Sequence, residues 1–192
     1  MKAEWTIDEA GWVSGVKQRP SPHCDPRPAG AVAELAVIHN ISLPPGQFGG
    51  GFVEALFAGR LDPTLHPYFE PIAGLRVSAH FLVARDGVVT QFVSCESRAW
   101  HAGVSCFRGR ERCNDFSIGI EIEGTDFCAF EPEQYAAASA LLALLARRYP
   151  LAAVVGHSDI APGRKTDPGP FFEWPRLRDE LAAVPQLVFP FA

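Results

Sequence analysis

The sequence predicts a single α/β domain in which helices flank a central mixed β-sheet. Five short apolar runs of strand length alternate with longer amphipathic segments, which is the pattern of an α/β fold. The pair Asp86-Gly87 separates two of these runs and indicates an antiparallel hairpin. A length of 192 residues suits one domain, and a hydrophobic content of 47% is enough to build its core.

Proline-rich stretches divide the chain into three parts. Residues 1–34 contain Arg19-Pro20-Ser21-Pro22 and Asp25-Pro26-Arg27-Pro28, which leave little room for regular structure and predict an ordered N-terminal arm. Residues 35–184 hold the predicted strands and helices and form the main domain. Residues 185–192 are a short C-terminal tail.

The composition excludes several classes of partner. A net charge of −5 argues against a surface for nucleic acid or for an anionic membrane. No apolar run approaches the ~20 residues that cross a bilayer. The segment Met1–Asp8 lacks a cationic region followed by an apolar stretch, so we expect no secretory signal and a cytoplasmic location. Five scattered cysteines without a Cys-x-x-Cys pair are then expected to be free thiols.

The first predicted strand, Leu35–His39, is apolar until it ends in a histidine. A side chain at a strand end is rigid in position yet open to a cleft. A single such histidine is more often structural than functional. Downstream, the sequence predicts a short helix at Phe52–Phe57 and a hairpin of Phe81–Ala84 with Val88–Val93, joined by a type I′ turn.

The strand Ser117–Glu123 alternates between two faces. Its three isoleucines lie on one face, and Gly119, Glu121 and Glu123 lie on the other. Two carboxylates beside a glycine that leaves room suggest the wall of a site. The alternative is an edge strand that turns its polar face to water, and this strand alone does not exclude it.

Two helices complete the predicted domain. The first begins near Glu131-Pro132, has acidic residues in its first turn, and ends at Arg147-Arg148 before Pro150. Its broad apolar face predicts packing on the sheet. The second helix is predicted near Pro175–Val184.

The loop Gly156–Pro170 follows the apolar strand Ala152–Val155 and is stiffened by prolines. It carries His157 at the strand end and then Lys165 and Asp167. Zinc readily accepts imidazole and carboxylate ligands. His157 as a strand cap and Asp167 as the start of a turn is the simpler alternative. A second strand-end histidine, His39, favours the metal site.

Long motifs along the chain resemble those of the zinc-dependent N-acetylmuramoyl-L-alanine amidases, a family related to the peptidoglycan recognition proteins. The resemblance is closest to its AmpD-type branch, the 1,6-anhydro-N-acetylmuramoyl-L-alanine amidases of cell-wall recycling. It extends from Pro20 to Pro170 and is most specific at Val37–Gly46, Leu75–His80, Arg98–Gly103, Gly109–Glu121 and Gly156–Pro170. The fold it implies is again a single α/β domain, with residues 35–184 as the zinc amidase catalytic domain.

The resemblance also implies roles for individual residues. His39, His157 and Asp167 would hold one Zn²⁺ per chain, with water in the fourth position. Glu121 would be the general base, and Lys165 the cation near the developing oxyanion. Tyr68 also matches a position of the family's catalytic site. The matches to substrate-contact positions are less specific and fall at Asn40, Arg76, Trp100 and Arg112. Glu123 has no implied role.

The implied reaction is hydrolysis of the amide bond between the lactyl group of (1,6-anhydro-)N-acetylmuramic acid and L-alanine of the stem peptide. The expected partner is a small soluble anhydromuropeptide, and no obligatory protein partner is implied. Two other functions remain open. A non-catalytic peptidoglycan-binding module on the same fold would lack a metal ligand. A zinc peptidase is disfavoured because the chain has no His-Glu-x-x-His helix.

Overall fold

The structure, a computed structural model, describes residues 5–191. Residues 1–4 of the predicted arm and residue 192 of the tail lie outside this range. The strands are β1 (Lys17–Gln18), β2 (Cys24–Pro26), β3 (Leu35–Ile41), β4 (Phe81–Val83), β5 (Val89–Gln91), β6 (Ser97–Ala99), β7 (Cys106–Phe107), β8 (Arg110–Glu111), β9 (Ser117–Glu123) and β10 (Ala153–Gly156). The α-helices are α1 (Phe52–Phe57), α2 (Pro132–Arg148), α3 (His157–Ile160) and α4 (Trp174–Glu180).

The main sheet has six strands in the order β1-β5-β4-β9-β3-β10. The pair β4–β5 is antiparallel, whereas β9 runs parallel to both β4 and β3, and β3 runs parallel to β10. The sheet is therefore mixed, and the predicted α/β class is confirmed. Two small two-stranded sheets, β2–β6 and β7–β8, lie outside it.

The two faces of the sheet differ in what covers them. Isoleucines of β9 and alternate residues of β3 and β10 belong to the main core together with α2. On the opposite face, Leu35, Val37 and Val155 pack with Phe116 and Ile160. Because β9 lies between β4 and β3, it is an interior strand, and the edge-strand alternative is excluded.

Helix α2 matches its predicted start and stop. Pro132 occupies the first turn, and Glu131 and Gln134 form a capping box that satisfies backbone N–H groups at this end. Helix α4 is shorter than predicted and ends at Glu180. Among residues 5–191, no helix combines the length and the apolar character that crossing a bilayer demands.

Two local features differ from the prediction. The turn-rich arm supplies a sixth strand, since β1 pairs in parallel with β5 at Lys17↔Thr90 and Gln18↔Gln91. The hairpin forms, but the predicted type I′ turn is wrong. That turn needs a positive φ at both central residues, whereas of Asp86 and Gly87 only Gly87 has one, at 75°. Gly87 ends a three-residue loop in which Ala84 N donates to Val88 O at 2.9 Å.

Arg27 joins the arm to the domain through backbone carbonyl groups. Its guanidinium donates to Cys95 O, Asn114 O, Asp115 O and Ser117 O over distances of 2.9–3.3 Å. These carbonyls lie 68–90 residues away in sequence, so one side chain connects three distant parts of the chain. The planar fork of arginine is suited to this arrangement, whereas a single ammonium group is not.

We expect Arg27→Met to lower the free energy of unfolding by about 2–5 kcal/mol. The substitution removes charge-assisted hydrogen bonds and leaves the backbone carbonyl groups that accepted them without a donor. Arg27→Lys should recover only part of this loss. Urea denaturation followed by circular dichroism measures the change. Arg19→Met is the matched control, since the Arg19 guanidinium has one hydrogen bond within residues 5–191, to the neighbouring Gln18 O. Equal stability of the two methionine variants would contradict this account.

Candidate active site

Three neighbouring strands deliver the site residues to one end of the sheet. His39 on β3 and Glu121 on β9 are directly paired in the parallel register. β10 runs beside β3 and continues without a break into α3, whose first residue is His157. Parallel strands end at the same edge of a sheet, so the two histidines and the carboxylate converge there. The loop after α3 brings Asp167 to the same place, where its backbone carbonyl accepts from Ser158 N at 2.9 Å.

His39, His157 and Asp167 face one another with their ligand atoms. His39 Nδ1 is 3.0 Å from His157 Nδ1 and 3.0 Å from Asp167 Oδ2. His157 Nδ1 is 3.1 Å from the same carboxylate oxygen. Both imidazoles are buried. A strand cap at His157 and a turn at Asp167 do not account for this arrangement, because His39, 118 residues away from His157 in sequence, brings a third ligand atom to the same small volume.

The protons on these groups show why a cation fits between them. His157 Nε2 is 3.1 Å from the carbonyl oxygen of Ala102, which only accepts, so a ring proton lies on Nε2 and Nδ1 is the atom that faces the cluster. Burial lowers the pKa of His39 to about 4, so the His39 ring is neutral at pH 7. Burial raises the pKa of Asp167, but contacts with the two histidines outweigh it, and the net shift is downward.

The donor set is also chemically selective. A proton on His39 Nδ1 forms a hydrogen bond with either His157 Nδ1 or Asp167 Oδ2, whereas a metal ion contacts all three atoms together. Two imidazole nitrogens and one carboxylate oxygen suit zinc, while Ca²⁺ and Mg²⁺ prefer oxygen ligands. Three protein ligands are the number found in catalytic zinc sites, which keep a fourth position open.

Glu121 lies beside this cluster as a buried carboxylate. Its Oε2 atom is inaccessible to solvent and has no hydrogen-bond partner within residues 5–191. Burial and the nearby Asp167 charge raise the pKa of Glu121 well above its ordinary value, while Lys165 acts in the opposite direction. A carboxylate with a raised pKa is a stronger base than a solvated one. This environment suits proton transfer.

A cleft of about 730 Å³ opens over the cluster. Its lining includes the predicted site residues His39, Asn40, Tyr68, Trp100, Glu121, His157, Lys165 and Asp167. The half-exposed Tyr68 ring and the apolar side chains of Leu43, Ile72 and Leu75 contribute to the same lining. The cleft therefore combines an apolar wall with a polar floor, as small-molecule sites commonly do.

Two predicted contact residues are held by other parts of the protein. The Asn40 amide donates to Asp126 Oδ1 at 2.7 Å and to Pro168 O at 3.0 Å, which connects β3 to the loop that carries Asp167. The Trp100 indole N–H donates to Asp25 Oδ1 at 2.9 Å, which orients its ring. The Arg76 guanidinium lies over that ring, 5.3 Å from its centre.

Arg112 does not line this cleft. It has a left-handed backbone conformation, with φ of 60°, and its exposed side chain pairs with Asp115 at 3.3 Å. Arg112 lines a neighbouring pocket of about 560 Å³ instead. Arg164 lines both the cleft and this pocket.

Sequence reasoning assigned no role to two residues that contact the cluster. His101 Nδ1 is 2.9 Å from His39 Nε2, and Arg164 Nη2 is 3.4 Å from His157 Nε2. His101 stood only as part of a resemblance motif, because a histidine in a loop after a hairpin carries no distinguishing local pattern. Glu123 shares the face of Glu121 but accepts from Gly49 N and Arg85 N, away from the cluster.

Comparison with known proteins agrees with this geometry. The family model described as N-acetylmuramoyl-L-alanine amidase matches residues 30–170. The 1,6-anhydro-N-acetylmuramyl-L-alanine amidase AmpD of Citrobacter freundii is 56% identical over 174 residues, covering 90% of this chain and 92% of the relative.

Solved structures give the same result. The crystal structure of a selenomethionine derivative of AmpD has a TM-score of 0.89 and 55% identity, covering 91% of this chain and 98% of the other. AmiD of Escherichia coli, solved with the substrate anhydro-N-acetylmuramic acid-L-Ala-D-γ-Glu-L-Lys, has a TM-score of 0.58 and 28% identity, covering 92% and 65%. This chain belongs to the N-acetylmuramoyl-L-alanine amidase family and, within it, to the AmpD branch.

Proposed function

We propose that this protein is a zinc-dependent amidase of cytoplasmic peptidoglycan recycling. It hydrolyses the amide bond between the lactyl group of (1,6-anhydro-)N-acetylmuramic acid and L-alanine of the stem peptide. The observation that carries this proposal is the cluster itself: three ligand atoms lie 3.0–3.1 Å apart, beside a buried carboxylate that lines the same cleft. Membership of the AmpD branch supports the choice of bond.

His39, His157 and Asp167 hold one zinc ion per chain in this proposal. Zinc, when bound, lowers the pKa of water to roughly 7 and polarises the scissile carbonyl group. Glu121 accepts the proton of the attacking water and passes it to the leaving amine of L-alanine. Its burial on an interior strand fixes the position of its carboxylate.

Lys165 and Tyr68 act on the substrate side of the cleft. Lys165 lines the same cleft as Glu121, and its positive charge partly opposes the rise in the pKa of that residue. We assign it to the negative charge that develops on the carbonyl oxygen, since such electrostatic stabilisation is commonly the largest catalytic effect. Tyr68 presents a half-exposed phenol at the cleft wall and is assigned to the same intermediate.

A non-catalytic peptidoglycan-binding module is the second candidate function. Such a module has no use for a complete ligand set or for a carboxylate held buried and unpartnered. Burying an ionisable group without a hydrogen-bond partner lowers the stability of the fold, and binding alone does not require such a group at this position. The geometry therefore favours the enzyme.

The substrate we propose is a small soluble anhydromuropeptide, as the names of the AmpD relatives and the AmiD complex suggest. Trp100 offers an apolar face to the sugar, and Asn40 lies beside the ligand His39. Arg76 and Arg112 are assigned to stem-peptide carboxylates through charge-assisted hydrogen bonds. Since Arg112 lies beyond the cleft, it serves only the distal part of the peptide. The proposal includes no obligatory protein partner, nucleic acid or membrane.

Incubation with soluble anhydromuropeptides should release free peptide and anhydro sugar, identified by mass spectrometry. Polymeric cell wall, assayed in parallel at equal muramoyl-peptide content, should react much more slowly. Reducing-end muropeptides of the same stem length are the matched control for the anhydro ring. Equal rates on intact wall and soluble fragments would contradict the recycling role. Absence of any cleavage between the lactyl group and L-alanine would contradict the amidase activity.

A further inference from the structure

The segment His101–Ala102 contacts both histidine ligands on the side away from the cluster. His101 Nδ1 lies 2.9 Å from His39 Nε2, and Ala102 O lies 3.1 Å from His157 Nε2. We propose that this two-residue segment positions the metal site: it fixes the tautomer and ring orientation of both imidazoles so that their Nδ1 atoms meet at Asp167. This inference rests on the proposed zinc-dependent function.

The hydrogen-bond directions are consistent along the whole chain of contacts. The Ala102 carbonyl only accepts, so it fixes the proton of His157 on Nε2. When His39 Nδ1 ligates a metal ion, the ring proton of His39 is on Nε2, and this N–H donates to His101 Nδ1 at 2.9 Å. His101 then carries its own proton on Nε2 and donates it to Ser117 Oγ at 3.1 Å, because a hydroxyl oxygen can accept. Each ring then carries one proton, and both ligand Nδ1 atoms present lone pairs to the cluster.

The His101 ring packs against β9 at Gly119, where the strand has no side chain. A Cβ atom added at Gly119 would lie 2.5 Å from His101 Cγ, closer than side chains approach one another, so glycine there admits the ring. The His101 and His39 rings meet edge to face, with planes at 89° and centres 5.0 Å apart. This contact holds the His39 ring in one orientation.

Two side chains hold the backbone of the same segment. Asn114 Oδ1 accepts from His101 N at 3.2 Å and from Ala102 N at 2.8 Å. On the other side, Arg164 Nη2 donates to Ala102 O at 2.7 Å and to Val104 O at 2.6 Å. Because the Asn114 oxygen binds both residues of the segment, it couples the contacts to the two histidines.

The first test is zinc affinity, measured by competition with a chromophoric chelator. His101→Leu should bind zinc about 10–100-fold more weakly, the usual effect of removing an outer partner of a ligand. His101→Asn is the conservative variant, since its Oδ1 atom replaces the accepting Nδ1, and it should regain most of the affinity. The visible absorption of the Co²⁺-substituted protein should change in His101→Leu and remain close to wild type in His101→Asn.

A second pair of variants tests the backbone contact without touching either ring. Asn114→Ala removes the acceptor and should weaken zinc binding, whereas Asn114→Asp keeps an oxygen there and should restore it. Circular dichroism establishes that each variant is folded.

His80→Asn is the control for loss of a buried imidazole. Its ring contacts Arg27, Ser97 O and Gly119 N and lies edge to face with His101, centres 5.9 Å apart, but none of its hydrogen bonds goes to His39, His157 or Asp167. It should lower stability while leaving the zinc affinity and the Co²⁺ spectrum of the folded protein unchanged.

The outcomes separate this inference from the proposed function. Wild-type zinc affinity and an unchanged Co²⁺ spectrum in folded His101→Leu and Asn114→Ala would overturn the positioning role, while the amidase proposal remained. Failure of the wild-type protein to bind zinc would overturn the proposed function and this inference with it. Weakened binding in His101→Leu and Asn114→Ala, restored in His101→Asn and Asn114→Asp, supports the positioning role.

Discussion

Replacing Glu121 with alanine is expected to lower the turnover number by at least about 10²–10⁴-fold, the usual contribution of general acid–base catalysis. The protein should keep its fold and its zinc, because the converging ligand atoms belong to His39, His157 and Asp167 and not to Glu121. Its carboxylate is buried and has no hydrogen-bond partner among the described residues, so few structural contacts are lost with it. Steady-state kinetics on a soluble anhydromuropeptide, with zinc content measured on the same sample, tests both statements.

Glu123→Ala is the matched control for this experiment. Glu123 lies on the same face of β9, two residues further on, but its carboxylate accepts from Gly49 N and Arg85 N. Its loss should loosen the glycine-rich loop and change turnover far less than the loss of Glu121. If the two variants behaved the other way round, the assignment of the base would be wrong.

Removing the metal is expected to abolish activity altogether. Protein purified without added metal should contain one zinc per chain by elemental analysis, and a chelator should remove both the zinc and the turnover. His39→Ala, His157→Ala and Asp167→Ala should each lose the ion, because two remaining ligands do not make a catalytic zinc site. Added Zn²⁺ should restore the chelated wild-type protein but not these variants.

Two histidines outside the cluster serve as controls. His23 contacts Val77 O, and the His66 side chain accepts from Tyr68 N at the start of a short helix. His23→Ala and His66→Ala should therefore retain zinc. Full activity in wild-type protein shown to be free of metal would contradict the assignment of the ligands.

Local pattern was enough to predict most of the central sheet. The predicted strands Leu35–His39 and Ser117–Glu123 form as β3 and β9 because alternate residues pack in the core on the α2 side, and the hairpin around Asp86-Gly87 forms as expected. His39 and His157 were detectable because each follows an apolar run and so falls at the end of the sheet where the site forms.

The remaining features depend on contacts that no local pattern encodes. Lys17–Gln18 is a strand only because β5 offers a free edge in a suitable position. His101 acts through a partner 62 residues away, and Asn114 through backbone groups whose position the fold sets. Arg112 has a left-handed backbone and lines the neighbouring pocket, and a sequence reveals neither property for a non-glycine residue.

The pairing of His39 with Glu121 on one rung of β3–β9 has a consequence for hydrogen exchange. Glu121 is paired with His39 of β3 on one side and with Leu82 of β4 on the other, so we expect amides on this rung to exchange only when the sheet opens. Asp167 lies in a loop outside the sheet, so its neighbouring amides are expected to exchange through smaller local openings. On this view, an opening of the loop separates Asp167 from the two histidines and Glu121 while these three stay assembled, and the site reforms without refolding of the domain.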